Sequence, residues 1–133
     1  MKVVLDTNVL VSGIFFSGPP FQILQAWRNR TIQFVLSVEI LDEYRRVSME
    51  LAKQFPGIDI SSFLDLVTVN SKIIESLPLP APVCVDPDDD KFIACAIAGK
   101  TNIIISGDGH LLKVDGFRNI RVYKPREFVD KYL

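Results

Sequence analysis

The sequence predicts an α/β protein built on a central, mostly parallel sheet with helices on both faces. Three observations predict it. Short runs rich in valine and isoleucine, KVVLD (2–6), IQFVLS (32–37) and NIIIS (102–106), read as strands buried on both faces. Between them lie segments whose apolar residues recur every three or four positions, the spacing of one helix face. Strands that alternate with helices form parallel crossover units, which order a sheet and cover it. A chain of 133 residues suits one compact domain, 1–133.

The elements follow in order. KVVLD is the central strand. It sits in an apolar N-terminus, MKVVLDTNVLVSG, interrupted by Asp6 and Asn8, which reads as buried strand rather than signal peptide. SGPP (17–20) is a loop, and proline suits the opening of a helix over FQILQAWRNR (21–30). Phe21, Leu24 and Trp27 fall on that helix at three-residue spacing. After IQFVLS, the Ser37 hydroxyl is placed to cap a helix with Leu41, Tyr44, Val47 and Leu51 on one stripe. Phe55-Pro56-Gly57 stops it. Residues 59–72 read as a further helix with Phe63, Leu64 and Val67 inward. SLPLPAPVCV (76–85) is an extended connection, because its prolines disfavour helix in the residues before them. DDDKFIACAIAGK (88–100) is a helix ending at Gly99. After NIIIS, GDGHLLKV (107–114) is a loop with about one helical turn. RVYKP (121–125) is a short strand, and Pro125 opens a last helix, REFVDKYL.

Composition removes several function classes. With 48% hydrophobic residues the chain can bury a core. No apolar run reaches the roughly 18 residues of a membrane span, so no membrane association is expected. Two cysteines, Cys84 and Cys95, do not make a disulfide framework and point to a reducing, cytoplasmic setting. His110 is the single histidine, too few for a Cys/His zinc site. The net charge of −1 gives no general attraction to nucleic acid, so any such role rests on local patches.

The carboxylates are more informative. Open parallel sheets place their sites at the carboxyl ends of the strands. Asp6 ends the first strand, Asp108 follows NIIIS, and Asp88 to Asp90 open a helix. Glu43 lies six residues beyond Ser37, about 9 Å along its helix, and its long side chain can reach back. Each acid also has a structural use: helix capping for Asp88 to Asp90, a turn for Asp108, a solvated helix face for Glu43. Asp6 fits such a use least well, because it ends a strand buried on both faces. Two carboxylates about 4 Å apart repel by about 4 kcal/mol at an effective dielectric near 20. Several together need a compensating cation, and oxygen ligands favour Mg²⁺ or Mn²⁺. Such ions support phosphoryl chemistry.

VVLDTNVLVSG, LSVEILDEY, DPDDDKFIACAIAG and IIISGDGHLL resemble, in order, the four acidic motifs of PIN-domain ribonucleases. The resemblance spans essentially the whole chain. It is closest to the toxin components of toxin–antitoxin pairs, related to VapC-type toxins. It implies a three-layer α/β/α sandwich and a metal-dependent endoribonuclease that leaves 5′-phosphate and 3′-hydroxyl ends. It assigns the four acids to Asp6, Glu43, Asp90 and Asp108, with Asn8 and Ser106 in supporting positions. Asp6, Asp90 and Asp108 would hold the metal, Mg²⁺ or Mn²⁺, and Glu43 would act as ligand or water-orienting base. Helical spacing alone favours Asp89 over Asp90, because Asp89 falls nearer the centre of the face defined by Phe92, Ile93, Ala96 and Ile97. Asp89 is therefore the second choice for the third acid. Arg45, Arg46 and Lys91, and more remotely Arg28, Arg30 and Lys113, are candidates for RNA backbone contact. The family also implies RNA as substrate, a cognate antitoxin protein as partner, and a homodimer.

Two other readings compete. A haloacid-dehalogenase-type phosphatase needs an acid two residues after the strand-end aspartate, where this chain has Asn8, and a second acid three or four residues after Asp108, where it has Leu111 and Leu112. A non-catalytic module would use the same fold to bind RNA or protein with the acidic site idle.

Overall fold

A computed structural model describes all residues, Met1–Leu133. Five strands, β1 (Lys2–Leu5), β2 (Gln33–Leu36), β3 (Lys72–Ile73), β4 (Ile103–Ile105) and β5 (Arg121–Tyr123), form one sheet in the order β3-β2-β1-β4-β5. Every neighbouring pair is parallel. Seven helices surround it: α1 (Thr7–Phe15), α2 (Pro19–Arg28), α3 (Val38–Ala52), α4 (Ile60–Asn70), α5 (Asp90–Ala98), α6 (Gly109–Leu112) and α7 (Pro125–Tyr132). The sandwich expected from the sequence is the observed class, and the sheet is wholly rather than mostly parallel.

β1 explains the layering. Val3, Val4 and Leu5 are each fully buried, although successive strand residues point to opposite faces. Helices must therefore cover both faces. α5 packs across β1, β2 and β4; α2 packs against α1 and α7; α3 contacts α1, α4 and α5. Trp27 stacks on Phe34 at 5.2 Å between ring centroids and is a core residue.

Three local expectations are corrected. The N-terminal apolar run is strand only to Leu5; Thr7–Phe15 is helix. Its valines and isoleucine look strand-like one by one, but Val9, Leu10 and Gly13 bury a helical face. The helix expected over 59–72 ends at Asn70, and Lys72–Ile73 instead adds an edge strand beside β2. Phe21 is 43% exposed, and α2 buries Ile23, Leu24, Ala26 and Trp27 instead. The Ser37 cap forms as expected, its hydroxyl accepting from the Ile40 amide at 3.3 Å. Cys84 and Cys95 are both free and buried.

Chain order reverses direction across the sheet at β1. From β1 the chain moves outward to β2 and β3, then returns across to β4 and β5. The crevice between β1 and β4, at their carboxyl ends, is the switch point where this class of sheet places its sites.

Candidate metal centre at the switch point

Asp6 leaves β1 at that crevice and is only 5% exposed. Its amide donates to the Ile105 carbonyl at 3.0 Å, extending the β1–β4 ladder to the first residue past the strand. Its carboxylate accepts from the Ser106 hydroxyl at 2.6 Å. The same Ser106 oxygen accepts from the Asp108 amide at 2.9 Å. One fully buried serine thus ties the acid after β1 to the loop after β4. Asp108 in turn caps α6, accepting from the His110 amide at 3.0 Å.

Glu43 reaches the crevice from α3. One of its carboxylate oxygens accepts from the Thr7 hydroxyl, and the other lies 2.6 Å from the Lys91 ammonium. Tyr44, the next residue, is fully buried and donates its hydroxyl to the Leu5 carbonyl, which anchors this turn of α3 against the end of β1.

The third acid is the informative case. The motif resemblance falls on Asp90. In the structure the Asp90 carboxylate accepts from the Cys84 amide at 2.7 Å and the Val83 amide at 3.1 Å. It pins the proline-rich connection to the start of α5. Asp89, one residue earlier, faces Asp108 and lies 3.4 Å from His110 Nδ1. Its ligand atom, those of Asp86 and His110 fall within 4.8 Å of one another. Asp86 is exposed and its carboxylate caps the short 3₁₀ turn Pro87–Asp89 through the Asp88 amide.

Electrostatics separate the two neighbours. Burial, then the Asp108 charge, raises the Asp89 carboxyl to about 6. Burial also raises Asp6, with Asp108 and Glu43 adding to the effect and the Ser106 hydrogen bond opposing it. For Asp90, burial acts upward, but the Cys84 and Val83 amides hold it below the usual carboxylate range. Asp6, Asp89 and Asp108 thus act on one another electrostatically, while the ligand atoms that lie within 4.8 Å of one another are those of Asp86, Asp89 and His110. The three aspartates offer oxygens alone, which suits a hard divalent cation.

The remaining expected residues scatter. Asn8 is exposed and lines an open groove of about 320 Å³ with Ser12, Asp108 and Pro125. Lys91 is only 17% exposed and paired with Glu43 and Asp88, so it faces the acids rather than solvent. Arg46 is 73% exposed and 3.8 Å from Glu43. Arg45, Arg28, Arg30 and Lys113 are exposed. Sequence reading assigned no role to Thr7 or His110. The position of Thr7, directly after Asp6 at the sheet edge, was the available signal for the first; nothing local pointed to the second.

An open parallel sheet with carboxylates from four segments gathered at its switch point defines a class of acidic-site α/β proteins. Residues 2–110 match the PIN domain family model, and the chain belongs to the PIN domain family. It is 32% identical to the uncharacterized protein MJ1680 of Methanocaldococcus jannaschii, over 99% of this chain and 92% of that one. It shares its fold with VapBC2 from Rickettsia felis, solved bound to a DNA fragment from their promoter, with a TM-score of 0.59 at 17% identity, covering 93% of this chain and 98% of that one. No single helix is long and apolar enough to cross a membrane.

Proposed function

We propose that this protein is a divalent-cation-dependent endoribonuclease, the toxin half of a toxin–antitoxin pair, with Asp6, Asp89 and Asp108 holding Mg²⁺ or Mn²⁺. The observation that carries the reading is the convergence of these three acids and Glu43 from four chain segments on one crevice. Asp89 takes the place that the motif resemblance gives to Asp90, because the Asp90 carboxylate is already satisfied by two backbone amides. A divalent cation supplies Lewis acidity there, lowering the pKa of an attacking water and offsetting charge on phosphoryl oxygens. The chain's own residues do the rest. Ser106 holds the Asp6 carboxylate by a 2.6 Å hydrogen bond. Thr7 and Lys91 fix both oxygens of Glu43, which stands ready to orient a water or the substrate. Arg46, exposed beside Glu43, is the cation best placed to meet the RNA backbone, with Arg45 beside it. PIN family membership supports the nuclease reading, and the likeness of fold to the VapBC2 complex is consistent with an antitoxin partner.

Total RNA incubated with the protein, with and without Mn²⁺, tests it. Cation-dependent cuts with 5′-phosphate ends, lost in Asp6→Asn and Asp108→Asn, are the expected result. Ends carrying 2′,3′-cyclic phosphate would rule out the hydrolytic scheme. RNA retention without cleavage, unchanged in both variants, would favour a binding module.

A further inference from the structure

The ion pair between Lys91 and Glu43 divides the acidic site. Lys91 follows Asp89 and Asp90 on the first turn of α5, yet its ammonium does not point to solvent. It lies 2.6 Å from Glu43 and 3.1 Å from Asp88, and the side chain is 17% exposed. Glu43 is similarly covered, at 13%. With Thr7 on one oxygen and Lys91 on the other, the Glu43 carboxylate has both oxygens occupied by donors from this chain. The other three acids have no lysine or arginine partner; Asp89 has only His110 Nδ1, at 3.4 Å. No lysine or arginine lies within 4.0 Å of Asp6, Asp89 or Asp108. One carboxylate is therefore paired with a lysine of this chain, and three are without one.

We propose that Lys91 is a resident cation of the site and a positioning residue: it holds Glu43 out of the metal's coordination, so that the site takes one divalent cation on Asp6, Asp89 and Asp108. This goes further than the ribonuclease reading and rests on its choice of site. Of the four formal negative charges, Lys91 offsets one, in a pairing shared with Asp88 at 3.1 Å, and a single divalent ion offsets two, which leaves one. Without Lys91, one Glu43 oxygen loses its close donor and keeps only the exposed Arg46 at 3.8 Å, so the site binds cations more strongly. At distances of several ångströms and an effective dielectric of about 20, one unit charge changes divalent affinity by about tenfold or more.

The test is Mn²⁺ binding without RNA, followed by electron paramagnetic resonance of free Mn²⁺ and by calorimetry. The wild type binds one ion. Lys91→Met binds Mn²⁺ about tenfold more tightly, or gains a second ion, whereas Lys91→Arg keeps wild-type affinity and stoichiometry. The double variant Lys91→Met/Glu43→Gln shows less than about a threefold gain over Glu43→Gln alone, because the carboxylate released by the first change is then absent. Unchanged or weaker binding in Lys91→Met, with circular dichroism and melting that match wild type, overturns the proposal. An equal gain with and without Glu43 overturns the positioning role. If Lys91→Met does not fold, the Lys91→Gln variant carries the same comparison. Binding is read without cleavage, so a chain that binds one ion and cuts no RNA would refute the nuclease reading while leaving the role of Lys91 decided by the same titrations.

Discussion

At the scale of single residues, Asp89 and Asp90 are adjacent acids with opposite surroundings, and their behaviour should separate cleanly. Asp89→Asn is expected to abolish Mn²⁺-dependent cleavage with little loss of stability. Asp90→Asn removes an ionised acceptor from two loop amides and should cost about 1–3 kcal/mol of stability in denaturant unfolding. The pH dependence of the metal-free protein follows from the same contrast. The Asp89 carboxyl is raised to about 6, so the fold favours its neutral form. That stabilisation is present below the ordinary carboxylate range and lost as pH rises through about 6. Asp6 is shifted in the same direction. Asp90 is lowered, so its contribution is present above the ordinary range and lost only as pH falls through its depressed value. Melting in chelator should thus show stability declining between about pH 4 and 6.5, and Asp89→Asn should flatten that decline. Arg46 makes a separate prediction. Arg46→Ala should weaken RNA binding and lower the magnitude of the salt slope by about 0.7 for each single-stranded phosphate that the arginine neutralises. A slope that does not move would remove Arg46 from the interface.

At the scale of elements, most of the chain was legible because burial on both faces leaves a strong signature. The three central strands are continuous apolar runs, and Ser37, Pro19 and Pro125 mark helix starts that the structure contains. The failures share a cause. A single residue separates β1 from α1 and α4 from β3, and neither Asp6 nor Ser71 is a glycine or proline to announce the change. β3 is two residues long and pairs through its backbone, which leaves almost no side-chain pattern. Phe21 sits on the helix phase next to the buried stripe, and three-residue spacing cannot tell the two apart. The α1–α2 packing carries a prediction of its own. A Cβ on Gly13 would come within 2.7 Å of the Leu24 side chain and 2.8 Å of the Pro20 carbonyl. One of these is backbone and cannot yield by a rotamer change. Gly13→Ala should therefore destabilise by about 1–3 kcal/mol, despite alanine's better helix propensity. A variant as stable as wild type, in urea unfolding, would show that the two helices can part at no cost.

At the scale of the whole molecule, the candidate site is a product of topology. Asp6, Asp108 and the acids before α5 were legible as candidates because they follow strands or open a helix, and Glu43 because a long side chain can reach back along α3; for the third acid, helical spacing pointed to Asp89 and the motif to Asp90, about 100° of rotation apart. The amides of Val83 and Cys84 that hold Asp90 come from a connection with no periodicity to read. Because the cluster exists only in the folded chain, a cation bound there must stabilise the fold by mass action. Mn²⁺ at about 100 times its dissociation constant should add about 2.7 kcal/mol, a rise of several degrees in melting temperature, and Asp6→Asn or Asp108→Asn should abolish it. The Ser106–Asp6 hydrogen bond spans 100 positions of sequence. A ribosome making this chain releases Asp6 well before Ser106 and Asp108, which follow only after β2, β3, five helices and β4. Until β4 docks beside β1, Asp6 has neither its serine nor its neighbouring acid. The crevice is thus assembled from distant parts of the chain and has no precursor in any shorter stretch that stops before β4.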